Sequence, residues 1–470
     1  MKNSKLYLLL TAGLLLTLLL GSCAQATPVV ESTEVVAPTQ VVVPTSVESG
    51  GAEVVEAPTV ESGGGEEVIE LVYQRYIEGI DLELDFVDEF NASHPNIHVT
   101  VDSVPAVDAY QKVLLTTEAG TPPDIIMTHF TLSSATAGLA MDLTPLVEAE
   151  GPDWVDKYTP SGWVFHDYAG HHYAMPWRVS PTVVFLNNKL LEKAGLEVPP
   201  DDWTMDDFLA YAKAMTHPEN DEYGFCLVGS ADNTTTTLQF GAFLFSFGGK
   251  HIGDDGLSNL NSEPTIETLN FLNTLIHEAK VVPPGTASSV TNTCTDLLAA
   301  DKVGMWTNAD LWRGFLRTQY PDIDISVAPH PQKAQQAVWI GGTGLAISAK
   351  TKHPEAAWEF VKFLTSEDIM RRWSDEGHFM PPNKSLWEDP EYIAADPERE
   401  VVAKVLETYK MYPLDGYPEG YDLNAILRNY IQAVYIQDMT PEEAMAAAAT
   451  EWDQRLVNYQ QDNWWNAWMK

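Results

Sequence analysis

Positive charge is what this sequence has least of: 27 Lys and Arg stand against 67 Asp and Glu, a formal net charge of −40. Contacts with DNA, RNA or anionic headgroups need clustered Lys and Arg, so no nucleic-acid partner is expected. Cysteine is nearly as scarce, with three residues in 470, at positions 23, 226 and 294. That excludes a disulfide framework and any C-x-x-C metal or redox spacing. Cys226 and Cys294 lie 68 positions apart and read as two buried thiols, although an exported compartment also permits a bridge. Beyond the N-terminus no apolar run is long enough to span a bilayer. The signatures G-x-S-x-G, H-E-x-x-H and Walker A do not occur. No tandem repeat is visible, which removes solenoids and propellers. His171 and His172 are adjacent, so on a strand they would point to opposite faces, and no third ligand has supportive spacing. They read as solvated turn residues, and neither a metal nor a cofactor is expected.

What is present begins with Lys2 and Lys5 ahead of an uncharged run from Leu6 to Leu20. A basic start and an apolar stretch of roughly 15 residues form an export signal, too short for a comfortable span. Leu20-Gly21-Ser22-Cys23 resembles the bacterial lipobox, which implies acylation of Cys23 and anchorage on the outer face of the cell membrane. Residues 24–67 contain no Lys, Arg or aromatic residue, and their eight Glu repel one another along a Val, Pro, Ser and Gly background. That composition predicts an extended tether.

From residue 68 onward, short apolar runs alternate with helical spacing, which points to α/β architecture. Val68–Tyr73 reads as a strand, Leu82, Phe86 and Phe90 share one helical face, and Ile97–Val101 and Asp124–Met127 read as further strands. Thr204 and Asp207 have capping-box spacing; Thr440, Pro441 and Glu443 mark another helix start. The run Gly341-Gly342-Thr343-Gly344-Leu345-Ala346 has an incomplete dinucleotide pattern and reads as the approach to a strand. With 45% apolar residues and this length, two packed domains are expected.

Several segments occurring in order resemble the extracellular solute-binding proteins of ABC importers, the cluster that includes maltose-binding proteins. They are FVDEFNASHPNIHVTV from Phe86, AGTPPDIIM from Ala119, GHHYAMPWRVSPTVVFLNNKLL from Gly170, FGGKHIGDDG, DKVGMW, GGTGLAIS and HPEAAWEFVKFLTS. The resemblance covers roughly 68–385. It implies an α/β, two-lobed periplasmic-binding-protein-like fold, with crossover hinge strands and a central ligand cleft. Lobe 1 would hold 68–179 and 322–368, lobe 2 would hold 180–321 and 369–470, and the first crossover would lie near Val179–Val184. It also implies a monomer that captures a sugar or oligosaccharide by hinge closure and hands it to membrane permease subunits, touching the membrane only through its anchor.

A pyranose offers apolar C–H faces and a rim of hydroxyls, so its site needs aromatic platforms and planar polar groups. The matched segments place Trp177, Arg178 and Ser180 at the cleft floor, with Trp306 or Trp312 as a stacking ring and Trp339 and Trp373 as lesser candidates. Open α/β sheets bind ligands beyond strand carboxyl ends. That adds Gln74, Arg75 and Tyr76 after the first strand, and His129 and Phe130 after the PDIIM strand. It also adds Asp232 and Asn233, Asn308 and Asp310, and the Gly341-Gly342 pair. Arg178 would clamp a uronate if left unneutralised; a carboxylate partner would point to a neutral ligand, the reading favoured by the acidic composition. Three alternatives stay open: an anchored carbohydrate-active enzyme, whose carboxylate pair is hidden among 67 acidic residues, a polyamine or peptide binder of the same fold, and a sensory presenter.

Overall fold

The computed structural model describes residues 68–77, 81–413, 416–462 and 464; the export signal, Cys23 and the 24–67 tether lie outside them. Ile69–Tyr76 forms strand β1 and Ile97–Val104 forms β2, parallel and in register from Ile69↔Ile97 to Tyr76↔Val104. Parallel neighbours need a crossover. Helix α1, Leu82–Ser93, provides it and buries Phe86, Val87 and Phe90 on one face, as their spacing predicts. Helix α2, Ala106–Glu118, then leads to β3, Ile125–Thr128, on the other edge of β1.

The long strand β4, Met175–Asn187, organises the rest. It is followed by β5 (Tyr223–Cys226), β6 (Val303–Ala309), β7 (Ile325–Pro329), β8 (Ala337–Ile347) and β9 (Lys410–Pro413). The sheet order is β2-β1-β3-β8-β4-β6-β5, with β9 on β8 and β7 on β4. Between Met175 and Pro181, β4 pairs antiparallel with β8; from Thr182 to Asn187 it pairs with β6 and β7. The glycine run after Trp339 is thus strand, not a phosphate turn.

Side-chain alternation along β4 feeds separate cores. Met175 and Trp177 enter a core with Leu71, Phe86, Ile125 and Phe360, while Val184 and Leu186 enter a second with Phe208, Phe243, Leu427 and Trp452. Val183 and Phe185 turn to a third, with Leu298 and Trp306. Helix α3, Met205–Ala214, starts on the Thr204–Asp207 capping box. Helix α4, Thr235–Ser246, is buried over nearly its whole length. Helix α5, Thr291–Ala299, carries Cys294, which is bonded to Cys226 at the end of β5 across a Cα–Cα distance of 5.6 Å. The two-thiol reading is therefore corrected: sequence separation carries no information on the approach of β5 and α5.

Helix α6 is Trp312–Gln319 and α7 is Glu367–Gly377. Ile369, Met370 and Trp373 of α7 pack into the core of β1 and α1, so the packing does not change sides at residue 369. Helix α8, Pro397–Thr408, lies against β7; α9, Gly420–Tyr435, and α10, Pro441–Leu456, close the second core. The Thr440 hydroxyl accepts from the Glu443 N–H at 3.2 Å, while Glu443 accepts from the Thr440 N–H at 3.1 Å. Thr440→Ala is expected to cost about 1 kcal/mol in chemical denaturation. A change near zero would show that packing alone sets this helix start. No described helix is long and apolar enough to cross a membrane.

Candidate functional site

The carboxyl ends of β1 and β3 lie side by side, which brings Tyr76 to His129. The Tyr76 hydroxyl accepts the His129 backbone N–H at 3.0 Å and sits 2.7 Å from Nδ1. The direction of that second bond follows the imidazole tautomer, and either way it fixes the ring's orientation. Burial and the nearby Arg178 charge push His129 down to about 3, so the ring is neutral at physiological pH. Phe130 packs beside it at 4.0 Å between ring centroids. Its other neighbours are Tyr421 of α9 at 5.0 Å and Tyr110 of α2 at 5.9 Å. The Tyr421 N–H also donates to Ser133 Oγ at 3.3 Å, joining the start of α9 to the segment after β3.

Arg178, half-buried on β4, lies over Phe379 at 5.3 Å. Its charge reaches Glu83, whose carboxyl is raised by burial and opposed by Arg75 and Arg178. Glu83 is held by Arg75 at 3.3 Å and by the Trp373 indole N–H at 3.2 Å. One turn of the strand further, Ser180 Oγ accepts the Leu311 N–H at 2.9 Å, and Pro181 O accepts the Asp310 N–H at 2.9 Å. Gly341 and Gly342 pair with Ser180 and Val179. A Cβ on Gly342 would fall 2.2 Å from the Arg178 carbonyl and 2.3 Å from the Phe165 ring, so only glycine lets β8 approach β4 here. The structure thus gathers Tyr76, His129 and Phe130 in one group, and Arg178, Ser180, Gly341 and Gly342 in another.

Other candidates are differently placed. Gln74 and Arg75 are buried, Gln74 donating to Ala109 O at 3.3 Å and Arg75 engaged with Glu83 and with Ser103 Oγ at 3.1 Å. Trp177 is 0% exposed and packs on Trp373 at 4.4 Å, inside the first core. Trp306, also 0% exposed, stacks on Phe185 at 5.5 Å, with half-buried Trp312 edge-on at 5.5 Å. Trp339 is buried in the second core, beneath Gly341. Trp373 is likewise 0% exposed and Trp339 3%, while Tyr76 and Phe130 are themselves only 4% and 6% exposed. Asn308 is buried and accepts the Ala309 N–H at 2.7 Å.

Asp310 is committed to Arg313 of α6 at 3.0 Å, with both side chains 0% exposed. Arg313 also holds Asp396 at 2.5 Å and donates to His378 O at 2.9 Å. The Asp310 carboxylate therefore ties β6 to the segment after α7. Asp232 is exposed, and half-buried Asn233 accepts from the Thr235 N–H at 3.0 Å and from Thr291 Oγ1 at 2.9 Å. His171 and His172 are on a short two-stranded ribbon, bonded to Asp142 at 2.8 Å and Asp167 at 2.7 Å, with His172 against Trp163 at 4.4 Å. They are paired rather than merely solvated. No group of metal-ligating side chains occurs among the described residues. A surface cavity of about 440 Å³ lies elsewhere, between Asp201, Pro329, Lys404 and Tyr409.

Sequence reasoning missed Tyr110, Ser133, Phe379, Tyr421 and the buried Glu83. Tyr110 and Glu83 sit in ordinary helical patterns, and Tyr421 falls in the C-terminal stretch where no motif guided the reading.

The chain belongs to the bacterial extracellular solute-binding protein family, whose profile matches residues 80–371. It is a binding protein and not an enzyme. A putative binding protein of Brucella abortus is 24% identical over 369 residues, covering 77% of this chain and 87% of the relative. The maltotriose-binding protein of Pyrococcus abyssi is 26% identical over 320 residues, covering 66% of this chain and 65% of that protein. Among solved structures, an ABC transporter solute-binding protein of Thermotoga lettingae bound with α-D-tagatose superposes with a TM-score of 0.74. It is 24% identical and is covered completely by 83% of this chain. The expected periplasmic-binding-protein-like fold is thus the fold observed.

Proposed function

We propose that this chain is the sugar-capturing component of an ABC transporter, held at the membrane by acylated Cys23 and lifted from it by residues 24–67. The observation that carries the reading is the ring group of Tyr76, His129, Phe130 and Tyr421, set beyond the ends of β1 and β3 in a family whose relatives bind maltotriose and α-D-tagatose. Aromatic faces and a neutral imidazole suit the C–H faces and hydroxyl rim of a sugar. The first lobe contributes Tyr76, His129, Phe130 and Arg178 with the Gly341-Gly342 pair, and the second contributes Ser180, Asp232, Asn233, Trp312 and Tyr421. Ligand contact with both lobes favours the closed form, which a permease then receives from a monomeric binder.

Thermal unfolding of the full chain against maltotriose, mannitol, α-D-tagatose, glucuronate, spermidine and a tripeptide tests this. A ligand at 100 times its Kd adds about 2.7 kcal/mol, a visible rise in Tm. A rise with a neutral saccharide, recovered chemically unchanged, is the expected result. A rise only with spermidine or the peptide would overturn the sugar assignment.

A further inference from the structure

We infer that the Cys226–Cys294 bond is a positioning element for the loop from Leu227 to Thr235, an inference that rests on the proposed reading of that loop as part of the ligand site. The bond joins the last residue of β5 to α5. The segment leading into α5 holds the same loop at three further points. Ser289 Oγ donates to Leu227 O at 2.7 Å, the Ser230 N–H donates to Ser289 O at 3.1 Å, and Thr291 Oγ1 donates to Asn233 Oδ1 at 2.9 Å. Thr291 Oγ1 also meets Thr235 Oγ1 at 2.7 Å. On the other side Gln239 of α4 accepts the Val228 N–H at 2.7 Å and donates to Cys226 O and Thr307 O, each at 3.1 Å.

Apart from Leu227 and Val228, this loop buries no large apolar side chain; its middle is Gly229-Ser230-Ala231-Asp232-Asn233. Besides Gln239 of α4 and the Arg428 Nε–H of α9, which donates to Ala231 O at 2.8 Å, its conformation depends on polar contacts to the segment leading into α5, and hydrogen bonds weaken steeply when donor and acceptor part. A covalent link beside the start of α5 fixes that segment against β5, so all three contacts keep their lengths together. Both sulfurs are buried, at 1% and 0% exposure, so the link is a permanent brace and not an exchangeable switch.

The test compares the full chain with a Cys226→Ser, Cys294→Ser variant by amide hydrogen exchange and by maltotriose binding. A Cys226→Ala, Cys294→Val variant, apolar and near in volume, replaces it if the serine pair fails to fold. Amides of residues 227–235 are expected to lose protection at least tenfold more than those of β6, and the Kd for maltotriose to rise at least tenfold. Equal loss in loop and strand, or none, would overturn the positioning role, because a merely structural bond loosens the whole third core, to which both cysteines and Trp306 of β6 belong. The exchange comparison needs no ligand, so it decides the matter even if maltotriose does not bind. Asn233→Ala in the bridged chain separates the two readings: unchanged maltotriose affinity there removes the loop from the ligand site without touching the exchange result.

Discussion

Arg313→Met is expected to cost about 3–5 kcal/mol in urea unfolding, because it leaves the buried Asp310 carboxylate without its cation, while Asp396 and Glu398 keep Arg317. Arg313 and Asp310 are both 0% exposed and 3.0 Å apart, with Asp396 at 2.5 Å and Glu398 at 3.8 Å on the same guanidinium. Burial raises the Asp310 carboxyl, and Arg313 is the main opposing influence. With the cation gone, Asp310 takes up a proton more readily in the folded state, so the deficit should narrow as pH falls toward the acid range. Asp396 behaves in the opposite sense. Burial would raise it, yet His378 and Arg313 hold its carboxyl well below the usual range. The stability it contributes is present above that range and is lost as pH falls. Adding Asp310→Asn to Arg313→Met should restore part of the loss. A single-variant cost below about 1 kcal/mol would show that water reaches these charges.

Trp373→Ala is expected to remove about 3–5 kcal/mol of stability while leaving the sugar affinity of the folded chain unchanged. The indole is 0% exposed, lies 4.4 Å from Trp177 and 4.6 Å from Phe379, and bonds Glu83. Truncation opens a cavity and strips a buried carboxylate of a donor. Chemical denaturation gives the first quantity and titration of the folded variant the second. A collapse of affinity with little change in stability would instead return Trp373, and with it Trp177, to the ligand.

Much of the fold was legible because it depends on local pattern. The faces of Phe86 and Phe90, the strand at Ile97 and the caps at Thr204 and Thr440 need only neighbours in sequence to be recognised. The site was less so. That Tyr76, His129 and Phe130 come together was reachable from the rule about strand ends, since β1 and β3 are parallel neighbours. The burial of Trp177 and Trp306 was not, because motif position says which strand a ring occupies but not which face of it is covered. That coverage comes from Trp373 and Phe185, the former 196 positions away in sequence. Tyr421 and the Cys226–Cys294 bond depend on how remote segments meet, and one sequence carries no trace of that.

The division of β4 between two sets of partners also governs how the protein can be made. Its first half is completed by β8, which ends at Ile347, and its second by β6 and β7, which begin at Val303 and Ile325. No stretch emerging before those residues can complete its central strand, so early folding of the amino-terminal part is blocked by missing neighbours. The architecture itself thus postpones folding until nearly three quarters of the polypeptide is available.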